Sequence, residues 1–191
     1  MSASARRRPM RRPTLRQCFR AAQHAMTIAG ALFIIYHVGF DVSVMVSNSM
    51  APTLRGSSVH DGEWVLTERL SYRLREPRRW EVVTFRTDEG IQVMKRVVAL
   101  PGETVSLAEG DVVIDGAAAR RPASLEELRY YAYGDLRSRA ALPCERGYFV
   151  LGDDSCDSMD SRFEGPVRRD AVIGRAWLVV WPPNRIRWVN P

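Results

Sequence analysis

Ser47 and Ser49 stand two apart in "VSNSMAPTL", residues 46–54, and Lys95 stands in "QVMKRVVALPGE", residues 92–103. Of the 28 lysines and arginines in the chain, every one but Lys95 is arginine. A guanidinium stays protonated in a protein, whereas an ammonium gives up its proton once it is desolvated. Lysine is therefore the cation to use where a neutral amine must accept a proton, and a serine hydroxyl loses one on becoming a nucleophile. In extended backbone Ser47 and Ser49 point to one side. One hydroxyl is then placed to attack a carbonyl while the other stabilises the oxyanion that forms. For a lone lysine without context codon bias is the better account, and Ser-x-Ser before a proline is common in loops, so neither segment decides the matter alone.

A third segment, "LGDDSCDSMDSRFEGPV", residues 151–167, packs five acids, three serines and an arginine between two apolar runs. It reads as a solvated acidic loop, a Ca²⁺ site, or part of an active site. Its order does not fit the EF-hand loop: no glycine stands at the sixth position, and no terminal glutamate is correctly spaced.

The elements that must position these residues are strands. "WVLTERL", "EVVTFRT", "IQVMKRVVAL", "TVSLA", "DVVID", "GYFVLG" and "GRAWLVVW" are rich in branched and aromatic residues. Asp88-Glu89-Gly90, Pro101-Gly102, Glu109-Gly110 and Asp115-Gly116 punctuate them as turns. Short strands with tight turns predict antiparallel hairpins and a mainly β domain over residues 43–191. In a strand over residues 91–100, Lys95 shares a face with Ile91, Val93, Val97 and Ala99, and Arg96 lies on the other face with Gln92, Met94, Val98 and Leu100. Apolar neighbours disfavour an ammonium and lower its pKa, unless the chain end snorkels to water. Residues 117–142 lack strand alternation and read as an excursion from the β-core, with one short helix near residues 125–131.

Charge is uneven. Residues 1–20 hold seven arginines (Arg6, Arg7, Arg8, Arg11, Arg12, Arg16 and Arg20) and no acid. Take those seven from the 28 basic residues and the rest nearly balances the 22 acidic ones. The net charge of +6 thus belongs to a basic tail, residues 1–21, and is not evidence for a nucleic-acid-binding domain, which would need a basic face on the folded part. Residues 22–40 carry no formal charge and, as a helix of about 28 Å, are long enough to span a hydrocarbon core. The arginines before this span predict that the N-terminus stays cytoplasmic and that the β-domain lies across the membrane. A mitochondrial transit peptide is the rival reading of the Arg-rich start. Cys144 and Cys156 share the oxidising side in this topology, where a disulfide between them and two free thiols are both open. His24 and His37 fall in the span, and His60 reads as a loop residue.

Taken together, "SNSMAPTL", "MKRVVALPGE" and "GDDSCDSMDSRFEGPV" resemble, in order and approximate spacing, the type I signal peptidase (leader peptidase) family of bacterial type. The closing "VIGRAWLVVWPPNRIR" is also similar to that family's end. The resemblance implies an antiparallel β-sheet catalytic domain behind one transmembrane helix, and a membrane-anchored serine endopeptidase that removes signal peptides from translocated preproteins. It implies Ser49 as nucleophile and Lys95 as general base. Ser47 is implied as an oxyanion donor beside the Ser49 N–H, and Ser158 as the serine that orients the lysine. Asp160 and Arg162 are implied to be structural. No metal or organic cofactor is implied. The implied partners are preprotein signal peptides and the lipid bilayer, not nucleic acid. The implied place is the bacterial inner membrane, with the catalytic domain on the periplasmic or extracellular side. The chain departs from the family's pattern at Asn48, where glycine is frequent, at Asp154 in place of asparagine, and at Trp80-Glu81 in place of Gly-Asp. A mitochondrial inner-membrane peptidase would share all of this chemistry. A self-cleaving repressor would need a helix-turn-helix where the span lies. A non-catalytic anchored β-domain would bind partners through the acidic loop.

Overall fold

The computed structural model describes residues 14–138 and 140–189. Arg6, Arg7, Arg8, Arg11 and Arg12 of the basic tail lie outside the described residues. The chain divides into two units, residues 1–38 and residues 39–191.

The first unit holds α1, Leu15–Gly39, a 25-residue helix. A reciprocal cap opens it: the Gln17 N–H donates to Thr14 Oγ1 at 3.4 Å, and the Thr14 N–H donates to Gln17 Oε1 at 2.9 Å. The cap draws Arg16 and Arg20 into the helix, which therefore starts before the apolar run. At about 37 Å it is long and apolar enough to cross a membrane, and its apolar window is unburied within the chain.

The second unit is built on two antiparallel sheets. The larger contains β1 (Phe40–Val44), β2 (Trp64–Glu68), β3 (Val82–Arg86), β4 (Gln92–Ala99), β9 (Gly147–Leu151), β10 (Val167–Arg168), β11 (Val172–Trp181) and β12 (Arg187–Trp188). Its order is β1-β2-β11-β3-β4-β9-β10, with β12 also on β11. The smaller contains β5 (Thr104–Ala108), β6 (Asp111–Ile114), β7 (Ala117–Ala118) and β8 (Leu142–Pro143) in the order β7-β6-β5-β8. Every apolar run named above is a strand. The hairpin turns at Glu109-Gly110 and Asp115-Gly116 put both residues at positive φ, the geometry that suits the right-handed twist of the flanking strands. Three one-turn helices complete the unit: α2 (Ser71–Leu74), α3 (Asp135–Ser138) and α4 (Ser161–Glu164).

Two elements differ from the sequence reading. β1 was hidden because its residues run on from the apolar helix. The helix expected near residues 125–131 is absent: a 3₁₀ turn covers Ala123–Leu125, and α3 comes later. The backbone N–H groups go elsewhere: that of Leu128 bonds the Leu125 carbonyl in a 3₁₀ turn and that of Tyr130 bonds the Gly110 carbonyl, while the Arg121 guanidinium also binds the Leu125, Leu128 and Gly110 carbonyls. Leu125, Leu128 and Tyr130 still enter the core, in one cluster with Phe149 and Leu151.

Candidate active site

Residues 47–54 leave β1 as a loop without regular pairing, so other contacts must fix it. Two guanidinium–carboxylate pairs do so, one fully buried (Arg96–Asp153) and one with a buried carboxylate and a partly exposed arginine (Glu63–Arg187). Glu63 is 1% exposed and accepts from both terminal nitrogens of Arg187 at 2.9 and 2.7 Å. It also accepts the Arg55 N–H, while Arg187 donates to the Thr53 carbonyl at 2.6 Å. From the other side Arg96 donates to Thr53 Oγ1 at 3.1 Å. Arg96 grips Asp153 through Nε and Nη2, at 2.8 and 2.6 Å, and holds the Trp80 carbonyl at 2.7 Å. Asn48 Oδ1 accepts the Gly56 N–H, so this departure from glycine pins the loop to its neighbour.

This bracing places Ser49 Oγ 2.6 Å from Lys95 Nζ and 3.2 Å from Ser47 Oγ. Lys95 is 4% exposed and Ser49 8%, whereas Ser47 is exposed. Lys95 faces Val83 across the β3–β4 pair, with the expected alternation kept as far as Val97. A bulge between Val97 and Ala99 then shifts the register, and Val98 and Ala99 enter one core cluster.

The acidic loop closes the other side. Asp160 caps α4, accepting the Arg162 N–H, and is bound by Arg162 Nε and Nη2 at 2.8 and 2.7 Å. It also accepts from the Gly152 N–H and from Ser158 Oγ, at 2.9 and 2.8 Å. Ser158 thus spends its proton on Asp160, and among the described residues no hydrogen bond joins it to Lys95. It lies beside Ser49 all the same, since a Cβ on Gly152 would overlap both Ser158 Oγ and the Ser49 carbonyl oxygen. Asp154 Oδ1 accepts the Cys156 N–H, and the Asp154 N–H donates to the Ser49 carbonyl. Cys144 is buried, Cys156 exposed, and both are free thiols.

Burial lowers the Lys95 pKa below the ordinary lysine range; Asp160 and Asp153 oppose this and Arg162 reinforces it. Both carboxylates are committed to guanidinium groups, so the amine sits among compensated charges. That leaves the hydroxyl of Ser49 as its hydrogen-bond partner.

Sequence reasoning missed the Arg96–Asp153 and Glu63–Arg187 pairs, and also Tyr130. Tyr130 Oη donates to Asp153 Oδ1 at 3.0 Å, the Tyr131 N–H donates to Ser155 Oγ, and the Tyr131 carbonyl accepts from Arg162. The excursion at residues 117–142 therefore braces the acidic loop. Trp80, where the family's pattern has glycine, adopts φ 72°, a conformation glycine takes without steric cost. Its indole donates to the Arg120 carbonyl and its side chain is buried in the core. Glu81 is bound by Arg75 and Tyr72.

The pattern for the signal peptidase, peptidase S26, family matches residues 18–181. The chain belongs to that family. It is 34% identical to a signal peptidase I of Leptolyngbya laminosa, over 76% of this chain and 70% of that one. Against a probable signal peptidase I-2 of Synechocystis it is 33% identical, over 73% of this chain and 62% of that one. Against signal peptidase I T of Bacillus subtilis the identity is 30%, over 85% and 86%. A crystal structure of a signal peptidase I from Enterococcus faecalis aligns with 53% of this chain and 97% of that one, at TM-score 0.43 and 30% identity. Membership makes the chain a serine protease of a membrane-anchored family that acts on signal peptides.

Proposed function

We propose that the chain cleaves preproteins at the end of their signal peptides, with Ser49 as nucleophile and Lys95 as general base. The observation that carries this reading is the 2.6 Å contact between Lys95 Nζ and Ser49 Oγ in a buried setting. Ser49 Oγ attacks the scissile carbonyl as neutral Lys95 takes its proton. The tetrahedral oxyanion is held by the Ser49 N–H and the Ser47 hydroxyl. Lys95 then protonates the leaving amine. A water deprotonated by the same lysine attacks the Ser49 ester and frees the signal peptide. A histidine is not needed in this variant of the triad logic. Ser158, Asp160 and Arg162 set the wall behind the lysine: Ser158 keeps lone pairs that can accept from the ammonium while Asp160 takes its proton.

The substrate enters as a strand, since one edge of β1, and the edge of residues 92–95 of β4 that faces away from β3, lack strand partners among the described residues. In this reading α1 spans a bacterial inner membrane, with the basic N-terminus on the cytoplasmic side and the site on the other. Exposed Trp64, Trp181, Trp188 and Ile186 give the β-domain apolar surface for the bilayer.

Wild type, Lys95→Arg and Ser49→Ala are to be reconstituted in liposomes with a preprotein whose signal ends in Ala-x-Ala. Wild type releases mature protein, and both variants fold but release none. Comparable cleavage by Lys95→Arg would remove Lys95 as the base.

A further inference from the structure

The two unpaired edges beside Ser49 are tied together at both ends. At one end stands the Lys95–Ser49 contact. At the other, Gln92 Nε2 donates to Ser43 Oγ at 2.6 Å and to Asp41 Oδ2 at 3.0 Å. A glutamine reaching a serine through one hydrogen bond can bridge strands up to two strand spacings apart, roughly 9.5 Å. That is the gap one added strand requires.

The floor of this gap changes along its length. Gln92 and Met94 share a face of β4, and Met94 packs in a buried cluster with Met45. Moving away from Ser49, the floor passes from two thioethers to an amide, a hydroxyl and a carboxylate. Arg69 lies 3.5 Å from the Asp41 carboxylate, so this end is polar without being a bare negative charge. Asp41, Ser43 and Gln92 are all partly exposed. Gln92 Oε1 has no donor among the described residues, and it is left to accept from whatever enters.

We propose that Gln92 is a specificity-determining residue, reading the substrate side chain at the fourth or fifth position before the cut and favouring a polar one. The inference rests on the peptidase reading above. A strand rises about 3.3 Å per residue, so the three residues from Lys95 to Gln92 cover about 10 Å. With the residue before the scissile bond level with Lys95, the fourth lies level with Gln92. An asparagine or serine there bonds to the amide directly. A leucine there separates the amide from Ser43 and Asp41 and offers nothing in return.

The test uses the full chain in liposomes and peptides that share Ala-x-Ala before the cut but carry Asn or Leu at the fourth or the fifth position. At one of these positions wild type is expected to favour Asn about tenfold in kcat/KM, the worth of roughly one net hydrogen bond, with the difference residing in KM. Gln92→Leu brings the ratio to about one. Ser43→Ala keeps the amide but frees it, and gives an intermediate ratio. No preference in wild type, or an undiminished preference in Gln92→Leu, overturns the proposal. If wild type cleaves no peptide and matches Ser49→Ala, the peptidase reading itself falls and takes this inference with it.

Discussion

Lys95→Met tests the site's electrostatics in a way that activity alone does not. The amine is 4% exposed and bonded to one hydroxyl. Asp160 and Asp153, which would otherwise hold it charged, are each bound through two nitrogens of an arginine. Burial is the leading influence, and the folded-state pKa lies below the ordinary value. The sign follows from linkage. Between the folded pKa and the unfolded value near 10.4, the unfolded chain holds one more proton. Stability therefore rises with pH across that window, and the burden is greatest below it. Methionine is similar in length and carries none of that burden, which is about 1–3 kcal/mol for a poorly compensated buried polar group. It forfeits the contact with Ser49, about 1 kcal/mol. The variant should therefore be inactive yet more stable than wild type by up to about 2 kcal/mol at neutral pH, and the gap should narrow as pH rises toward 10. Urea unfolding of both proteins in detergent from pH 6 to 10 measures this directly. Wild-type cleavage should climb with pH through one inflection below the ordinary lysine range. A variant less stable than wild type at every pH, or a stability difference that ignores pH, would refute the argument.

Arg96→Met strands Asp153 without its partner in a fully buried site and should cost about 3–5 kcal/mol, read by denaturant midpoint; adding Asp153→Leu should recover a large part. Gly152→Ala forces a Cβ against the Ser49 carbonyl and Ser158 Oγ; cleavage should fall by at least about 100-fold, since small displacements of reacting groups cost that much, with circular dichroism showing retained strand content. Arg162→Gln releases Asp160 to stabilise charged Lys95. The inflection of the pH–rate profile should move upward, and an unmoved inflection in a folded variant would show that Arg162 has no electrostatic part.

The β-domain was legible because strand residues alternate locally and turn residues announce hairpins. The Ser-x-Ser pair, the lone lysine and the acidic loop were legible because their residue types are informative before any partner is known. Pairings across the chain were not. Arg96 meets Asp153 and Glu63 meets Arg187 from far apart in sequence, and a chain with 28 basic and 22 acidic residues offers too many combinations to choose among. The excursion misled for a related reason. Leu125 and Leu128 have helical spacing, but the Tyr130 N–H bonds the Gly110 carbonyl, and no local pattern reveals a backbone pairing made across the chain. Ser158 shows the same limit at finer scale: its place beside the site followed from the motif, whereas its bond to Asp160 depends on where Arg162 turns that carboxylate.

The abundance of arginine near a group that must be neutral is then explicable. A lysine works as a base only if its surroundings refuse a positive charge, but a loop that presents a nucleophile needs strong, directional contacts to hold it. Carboxylates alone would supply the contacts and protonate the lysine. Arginine alone would depress the lysine and leave the loop without acceptors. Joined as Arg96–Asp153 and Arg162–Asp160, they give bidentate geometry at little net charge. Arg96 follows Lys95 in sequence, and Asp153 follows Gly152, against which the Ser49 carbonyl packs. A pair that rigidifies the backbone beside Lys95 and beside the Ser49 carbonyl while cancelling its own field serves position and the proposed protonation state together, which an apolar core of equal volume could not do.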